Sequence, residues 1–276
     1  MSAAPASIRI GVKGVAGRMG QRIAALLAET PGAELAAVTE RKFHASIGKD
    51  VGEIAPGAKA GLAVTDSLTG ALAKCDVFID FTVADSTMAD LDAYARAGKP
   101  LVIGTTGFRA DEMTRLRQAL APIPYVLSPN MSIGVNVLFN LVRQAALALG
   151  DDYDIEITEA HHRFKKDAPS GTAAKLAEVL AETLGRRYPA DTVFRQRGIQ
   201  GERTRKEIGM QVIRAGDIVG DHTVMFGGLG ERLELTHRAH TRDTFARGAI
   251  KAALWIPSHA PGAYDMQDVL GLQAKK

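Results

Sequence analysis

Short apolar runs alternate with stretches of helical period through the first half of the chain. Ile8, Ile10 and Val12 form a strand-like run that leads into glycines, and Ile23, Leu26 and Leu27 recur at helical spacing over 18–30. Pro31-Gly32 then ends the helix. The alternation continues with strands predicted over 34–39, 77–81, 100–104 and 124–127, and helices over 67–74, 87–97 and 111–121. Residues 41–63 are glycine-rich and carry no clear period. Strands separated by helices of this length imply right-handed crossovers and a parallel sheet.

The pattern changes after about residue 130. A long helix is predicted over 135–149, a strand over 154–158 and a helix over 173–184. Three strands then follow in a run, over 208–214, 222–226 and 232–236, with Gly227-Gly228 and Gly230 marking a turn. Consecutive strands point to a mixed, largely antiparallel sheet. A last helix is predicted over 244–255. The fold class is therefore α/β, a parallel-sheet domain followed by a smaller α+β domain.

Composition narrows the function classes. The chain has 276 residues, enough for about two domains. Lys and Arg total 34 against 31 acidic residues, so no polyanionic partner is indicated, and with aromatics at 5% a base-stacking platform has few parts. The densest basic run, 195–206, is interrupted by Glu202 and reads as a solvated loop. The single cysteine, Cys75, cannot form an internal disulfide and precedes an apolar run, which suits core packing. Neither an apolar stretch of about 18 residues nor a secretory leader is read in the sequence, so no membrane partner and a cytoplasmic location are expected.

Two segments carry candidate chemistry. Gly14-Val15-Ala16-Gly17-Arg18-Met19-Gly20 lies between the first strand and the first helix. Glycines there permit a tight turn and close approach of backbone N–H groups to a pyrophosphate, and the helix start favours negative charge. A plain strand–helix turn also uses glycine; the strand–turn–helix context favours a dinucleotide, hence a Rossmann-like domain. Glu40 ends the second strand, where an acid can accept the ribose hydroxyls of NAD, while Arg41 and Lys42 suit the 2′-phosphate of NADP. The mixture predicts use of both NADH and NADPH. The loops Gly104-Thr105-Thr106-Gly107 and Ser128-Pro129-Asn130-Met131 sit at later strand ends and fit either cofactor contacts or ordinary turns.

The second segment is Glu159-Ala160-His161-His162-Arg163-Phe164-Lys165-Lys166-Asp167-Ala168-Pro169-Ser170-Gly171-Thr172. It joins a strand end to a helix start, where Ser170 or Thr172 can cap the helix and an anion is favoured. Two histidines and Lys165 beside such a site suit proton transfer to an anionic small molecule, one with more than one carboxylate. His237 and His240 add donors for a metal, yet no Cys cluster or H-E-x-x-H accompanies them, so no metal is expected.

The stretch from Glu159 to Ala173 resembles the signature of the 4-hydroxy-tetrahydrodipicolinate reductase (dihydrodipicolinate reductase) family of lysine biosynthesis. So do Gly14 to Gly20, the run from Phe78 to Thr82, Gly104-Thr105-Thr106-Gly107, the run from Ser132 to Asn136, and that from Arg214 to Gly220. The resemblance implies a dinucleotide-binding domain over 1–130 and 241–276, and a substrate and oligomerisation domain over 131–240. It implies reduction of a cyclic unsaturated dicarboxylate by NADH or NADPH in a homotetramer. By the same resemblance His161 is the acid/base and Lys165 the proton donor. His162, Ser170, Gly171 and Thr172 hold the substrate carboxylates. Gly14, Val15, Ala16, Gly17, Arg18, Met19, Glu40, Arg41, Gly104, Thr105, Thr106, Ser128, Pro129, Asn130 and Met131 contact the cofactor. The chain departs from the family at Ala16, usually glycine, and at Met131, usually Phe. The alternative reading of the same residues is another two-domain NAD(P)-dependent oxidoreductase acting on an anionic imine or oxo acid.

Overall fold

The computed structural model describes residues 7–194 and 201–272. Arg195 and Arg197 of the basic run lie outside them. In chain order the elements are β1 (Ile8–Lys13), α1 (Arg18–Leu27), β2 (Ala33–Thr39), α2 (Val51–Ile54), α3 (Leu68–Leu72), β3 (Val77–Asp80), α4 (Ala84–Ala89), α5 (Leu91–Ala97), β4 (Leu101–Ile103), α6 (Ala110–Leu120) and β5 (Pro124–Leu127). Then come α7 (Ile133–Leu149), β6 (Asp154–His161), α8 (Gly171–Thr183), β7 (Thr192–Val193), β8 (Ile208–Arg214), β9 (Gly220–Gly227) and β10 (Arg232–Ala239). The chain closes with α9 (Asp243–Trp255), β11 (Gly262–Tyr264) and α10 (Met266–Val269). Contacts divide it into two compact units, Met1–Ile133 with Asp243–Lys276, and Gly134–Arg242.

The first unit is built on a six-stranded sheet in the order β11-β5-β4-β3-β1-β2, every pairing parallel. Parallel strands need cover on both faces, which is why β3 and β4 are buried along their whole length. Ile10, Val12, Val77, Ile79 and Val102 pack under α1 and α9, whereas Phe78, Leu101, Ile103 and Tyr125 pack with Leu72, Leu91, Leu116 and Leu120 on the other face. Each such fully buried side chain contributes roughly 1.5–3 kcal/mol. Cys75 is fully buried beside Phe78, a packing role as its sequence context indicates. The strand order reverses at β1, with β2 on one side and β3 on the other. Parallel sheets leave a crevice at the carboxyl ends of the strands there.

The second unit has a five-stranded sheet, β10-β9-β6-β8-β7. It is mixed: β10 with β9 and β9 with β6 run antiparallel, whereas β6 with β8 and β8 with β7 run parallel. Helices α7 and α8 bring Leu138, Phe139, Val142, Leu176 and Leu180 onto Ile155, Ile157, Met210, Val224 and Phe226. Period two along β6 places Ile155, Ile157, Glu159 and His161 on that one face. The first two feed the apolar core; the last two begin the polar site.

Several elements differ from the sequence reading, among them α2, β7, β11 and α10, which it did not predict. The helix predicted over 87–97 is two helices, α4 and α5, parted at Asp90, whose carboxylate is held 2.7 Å from Lys13 Nζ. Strand β6 runs three residues past Thr158, because both flanking strands continue to pair with it, Glu159 opposite His222 and His161 beside Arg214. Helix α7 continues into a 3₁₀ turn, so Ile133–Asp152 is a 20-residue stretch of mean hydropathy 1.4, long and apolar enough by length and composition to cross a membrane. In the structure its buried face is the core of the second unit.

Candidate active site

The first cluster of site residues lies at the carboxyl ends of β1 to β4, around a cleft of about 810 Å³. The loop after β1 is tied to the end of β2, with the Gly14 and Val15 N–H groups both donating to the Thr39 carbonyl, at 2.8 and 3.2 Å. Gly14 sits at φ +72°, a left-handed conformation that favours glycine. A Cβ at Gly20 would meet the Gly14 carbonyl oxygen at 2.2 Å, so glycine there lets α1 sit directly against the loop. Helix α1 has no acidic residue in its first turn, which leaves the positive end of its dipole available to an anion.

Glu40 is fastened to this loop. Its carboxylate accepts the Ala16 N–H at 3.2 Å and the Arg41 N–H at 2.9 Å. Of the residues singled out for the cofactor, Gly14, Ala16, Gly17, Arg18, Met19, Glu40, Arg41, Gly104 and Thr106 line the cleft. Val15 is buried, and Thr105 is buried with its hydroxyl accepting the Thr82 N–H at 3.0 Å. Ser128, Pro129, Asn130 and Met131 are not among the cleft-lining residues. The Ser128 hydroxyl donates to the Asn130 carbonyl at 2.9 Å, and Met131 is packed into the core.

Lys13, which lines the cleft, and the buried groups it meets had been given no role from sequence. Lys13, at the end of β1, is buried with its ammonium 3.3 Å from Asp80 and 2.7 Å from Asp90, and donates to the Ser86 carbonyl at 2.9 Å. Asp80 is fully buried and accepts the hydroxyls of Thr82 at 2.6 Å, Tyr94 at 2.8 Å and Thr87 at 3.0 Å. Burial and the neighbouring Asp80 charge push the Tyr94 phenol well above its ordinary range. The network binds together the segments that follow β3 and β4. The available signal was an aspartate ending a wholly apolar strand, where a buried charge needs partners.

The second cluster lies in the second unit, around the end of β6. His161 Nδ1 is 2.6 Å from Glu159 Oε2. Glu159 is fully buried and accepts Arg214 Nη1 at 2.8 Å, Arg214 Nη2 at 2.9 Å and the Ser170 N–H at 3.0 Å. Burial alone would raise its pKa, but the hydrogen bonds from His161, Arg214 and Ser170 prevail and hold it at about 2. Ser170 is the N-cap of α8, with its hydroxyl accepting the Ala173 N–H at 3.2 Å and lying 3.0 Å from His222 Nε2. Burial, then the neighbouring His161, lowers the His222 pKa to about 3, so this imidazole is neutral. The rings of His161 and His222 meet edge to face at 5.2 Å.

Past the strand, the Lys165 N–H donates to the His162 carbonyl at 3.1 Å, which folds the segment into a turn. Lys165 Nζ pairs with Asp167 at 2.8 Å. His162 is half-buried, and its Nδ1 has no hydrogen-bond partner among the described residues. Gly171 is exposed and Thr172 half-buried at the start of α8. The cluster thus offers an imidazole, an ammonium and a helix start without acids in its first turn, a set suited to proton transfer on an anion. Glu159, Arg214 and His222 had not been given roles from sequence; the alternation Ile155, Ile157, Glu159, His161 was the signal that paired Glu159 with His161. Among the described residues no three His, Cys, Asp or Glu side chains converge as a metal-binding group.

Comparison with known proteins is consistent across the chain. Residues 8–131 match the family model for the dihydrodipicolinate reductase N-terminus, and residues 134–270 match that for the C-terminus. A 4-hydroxy-tetrahydrodipicolinate reductase from Syntrophus aciditrophicus is 54% identical over 263 residues, covering 95% of this chain and 98% of its own. One from Geotalea uraniireducens is 52% identical over 266 residues, covering 96% and 100%. Among solved structures, a dipicolinate-bound dihydrodipicolinate reductase from a Paenisporosarcina species shares the fold, with a TM-score of 0.75 at 24% identity over 95% of this chain and 98% of that one.

Proposed function

The chain belongs to the dihydrodipicolinate reductase family, and we propose that it carries out that family's reaction with His161 and Lys165 moving the protons. It is an oxidoreductase that reduces 4-hydroxy-tetrahydrodipicolinate in lysine biosynthesis, with a nicotinamide cofactor. The observation that carries the residue assignment is the Glu159–His161 contact at the end of β6, followed within four residues by Lys165.

The residues at the first cleft fit a dinucleotide. Its glycine loop turns through a left-handed residue, its helix start carries no acid, and Arg18, Arg41 and Lys42 border a volume of about 810 Å³. Gly14 to Met19 would hold the pyrophosphate and Glu40 a ribose; Gly104 and Thr106 would line the path to the nicotinamide. When bound, the reduced nicotinamide supplies a hydride to the substrate ring. Glu40 favours free ribose hydroxyls, while Arg41 and Lys42 favour a 2′-phosphate, so both NADH and NADPH serve.

His161 presents Nε2 as acid and base. Lys165, held by Asp167, donates a proton to the reduced centre. His162 and the start of α8 at Gly171 and Thr172 take the substrate carboxylates. Ser170 supports them by capping α8, its hydroxyl being engaged with the Ala173 N–H and His222. The homotetramer and the cytoplasmic setting implied by the resemblance belong to the same proposal.

The test is to supply substrate made in situ by its synthase and follow loss of reduced-nicotinamide absorbance, with NADH and NADPH in parallel. Synthase-dependent loss with both cofactors is expected. Loss with only one overturns dual use, and no loss from folded, cofactor-binding protein overturns the reaction.

A further inference from the structure

The fully buried Glu159 carboxylate takes four donors within 3.0 Å: both terminal nitrogens of Arg214, the Ser170 N–H and His161 Nδ1. An ionised carboxylate only accepts, so the shared proton sits on Nδ1 and the lone pair of the neutral imidazole is left on Nε2. Space is kept at that nitrogen. A Cβ at Gly220 would lie 3.1 Å from Nε2. Arg214 also donates to the Asp167 carbonyl at 2.6 Å, which joins Glu159 to the turn that carries Lys165.

We propose that Glu159 is a positioning residue for the reaction: it selects the Nδ1–H tautomer of His161, aims Nε2 at the substrate, and stabilises the imidazolium whenever Nε2 is protonated, with Arg214 locking its orientation. The inference rests on the reading of His161 as the acid/base. In the acid step the Nε2–H bond breaks, its electron pair stays on Nε2, the proton passes to substrate, and Nδ1 keeps its proton throughout. Glu159 itself takes none. The charged and titratable groups around the His161 ring are Glu159, with Arg214 behind it, and neutral His222 from β9; the Lys165–Asp167 pair lies on the turn that follows the strand. Of these, only Glu159 touches the ring through a hydrogen bond. Replacing the carboxylate that orients an acid/base histidine by its amide can lower kcat by about 10⁴-fold, because the wrong tautomer is then held.

The test compares Glu159→Gln, Glu159→Asp and Arg214→Lys with the wild-type chain. The readouts are kcat, KM for cofactor, the pH profile of kcat/KM, and ¹⁵N chemical shifts of the histidine ring nitrogens without substrate. A carboxamide both donates and accepts, so it no longer dictates the tautomer. Expected for Glu159→Gln is a kcat lower by on the order of 10²–10⁴-fold. Cofactor KM should be unchanged, the His161-dependent limb should move to lower pH, and the Nδ1–H signature of His161 should be lost. Glu159→Asp should restore part of each. Wild-type ring shifts and an unmoved pH limb in Glu159→Gln, whatever its kcat, would overturn the proposal. If Glu159→Gln does not fold, Arg214→Lys decides: a partial move of the limb to lower pH supports the role and an unmoved limb overturns it. Wild-type turnover in His161→Gln would instead defeat the acid/base reading, while the tautomer measurement would still report on the Glu159–His161 link.

Discussion

The two site regions are made of different material. The cleft of the first unit is shaped largely by backbone: a glycine loop, a helix start and four strand ends, with exposed charges at its rim. The cluster of the second unit is made of side chains on one face of β6 and its neighbours, buried and joined by ion pairs. Backbone donors survive most substitutions, whereas a buried side-chain network loses its function when one member goes. Single substitutions should therefore cost more at the second region than at the first, save where the cleft rests on its own buried charge.

The sharpest contrast is His161→Gln against Arg41→Ala. Removing the proposed acid/base should lower kcat by about 10²–10⁴-fold, with cofactor binding by calorimetry unchanged. Removing Arg41 should leave kcat intact and raise KM for NADPH about tenfold, a difference of about 1.4 kcal/mol, with little change for NADH. An equal rise for both cofactors would show that Arg41 does not meet the 2′-phosphate.

Asp80→Ala is the exception that would break the comparison. It leaves the Lys13 ammonium buried with Asp90 as its remaining acid and strips an acceptor from Thr82, Thr87 and Tyr94. A cost of roughly 3–5 kcal/mol in stability is expected, seen as a lower denaturation midpoint; an unchanged midpoint would mean that the network does not hold the fold.

Acidification should strike the second unit. His222 titrates near 3 in the fold against an ordinary 6.5, so below pH 6.5 the unfolded chain takes up a proton that the fold refuses, and stability falls as pH drops toward 3. Glu159 adds to this: its contribution is present above 4.5 and is lost as pH falls toward 2. Thermal midpoints measured from pH 7 to 3 should decline, and His222→Gln should flatten the upper part of the decline. An equally steep decline in that variant would remove His222 as the cause.

The smallest effect concerns Phe43, between the cleft-lining Lys42 and His44. Phe43 is 99% exposed at φ +62°, a conformation disfavoured for a bulky residue. Phe43→Gly should raise stability by about 0.5–1 kcal/mol. A drop in midpoint would show that the ring has a partner.

Local pattern alone revealed much of this protein. Mostly apolar runs of four to six residues pointed to the parallel strands, because a strand buried on both faces is apolar along most of its length. Glycines between strand and helix pointed to the first cleft, and the crowding of His161, His162 and Lys165 pointed to the second candidate site, since each is a short-range signal carried by adjacent residues. Tertiary structure alone decided which side chains complete those sites. Lys13 meets Asp80 across 67 positions, Arg214 meets Glu159 across 55, and His222 meets Ser170 across 52. Whether a charge becomes a solvated surface group or a buried partner depends on strand order and register. Those are set by how two sheets fold on themselves, and no local stretch of sequence contains them.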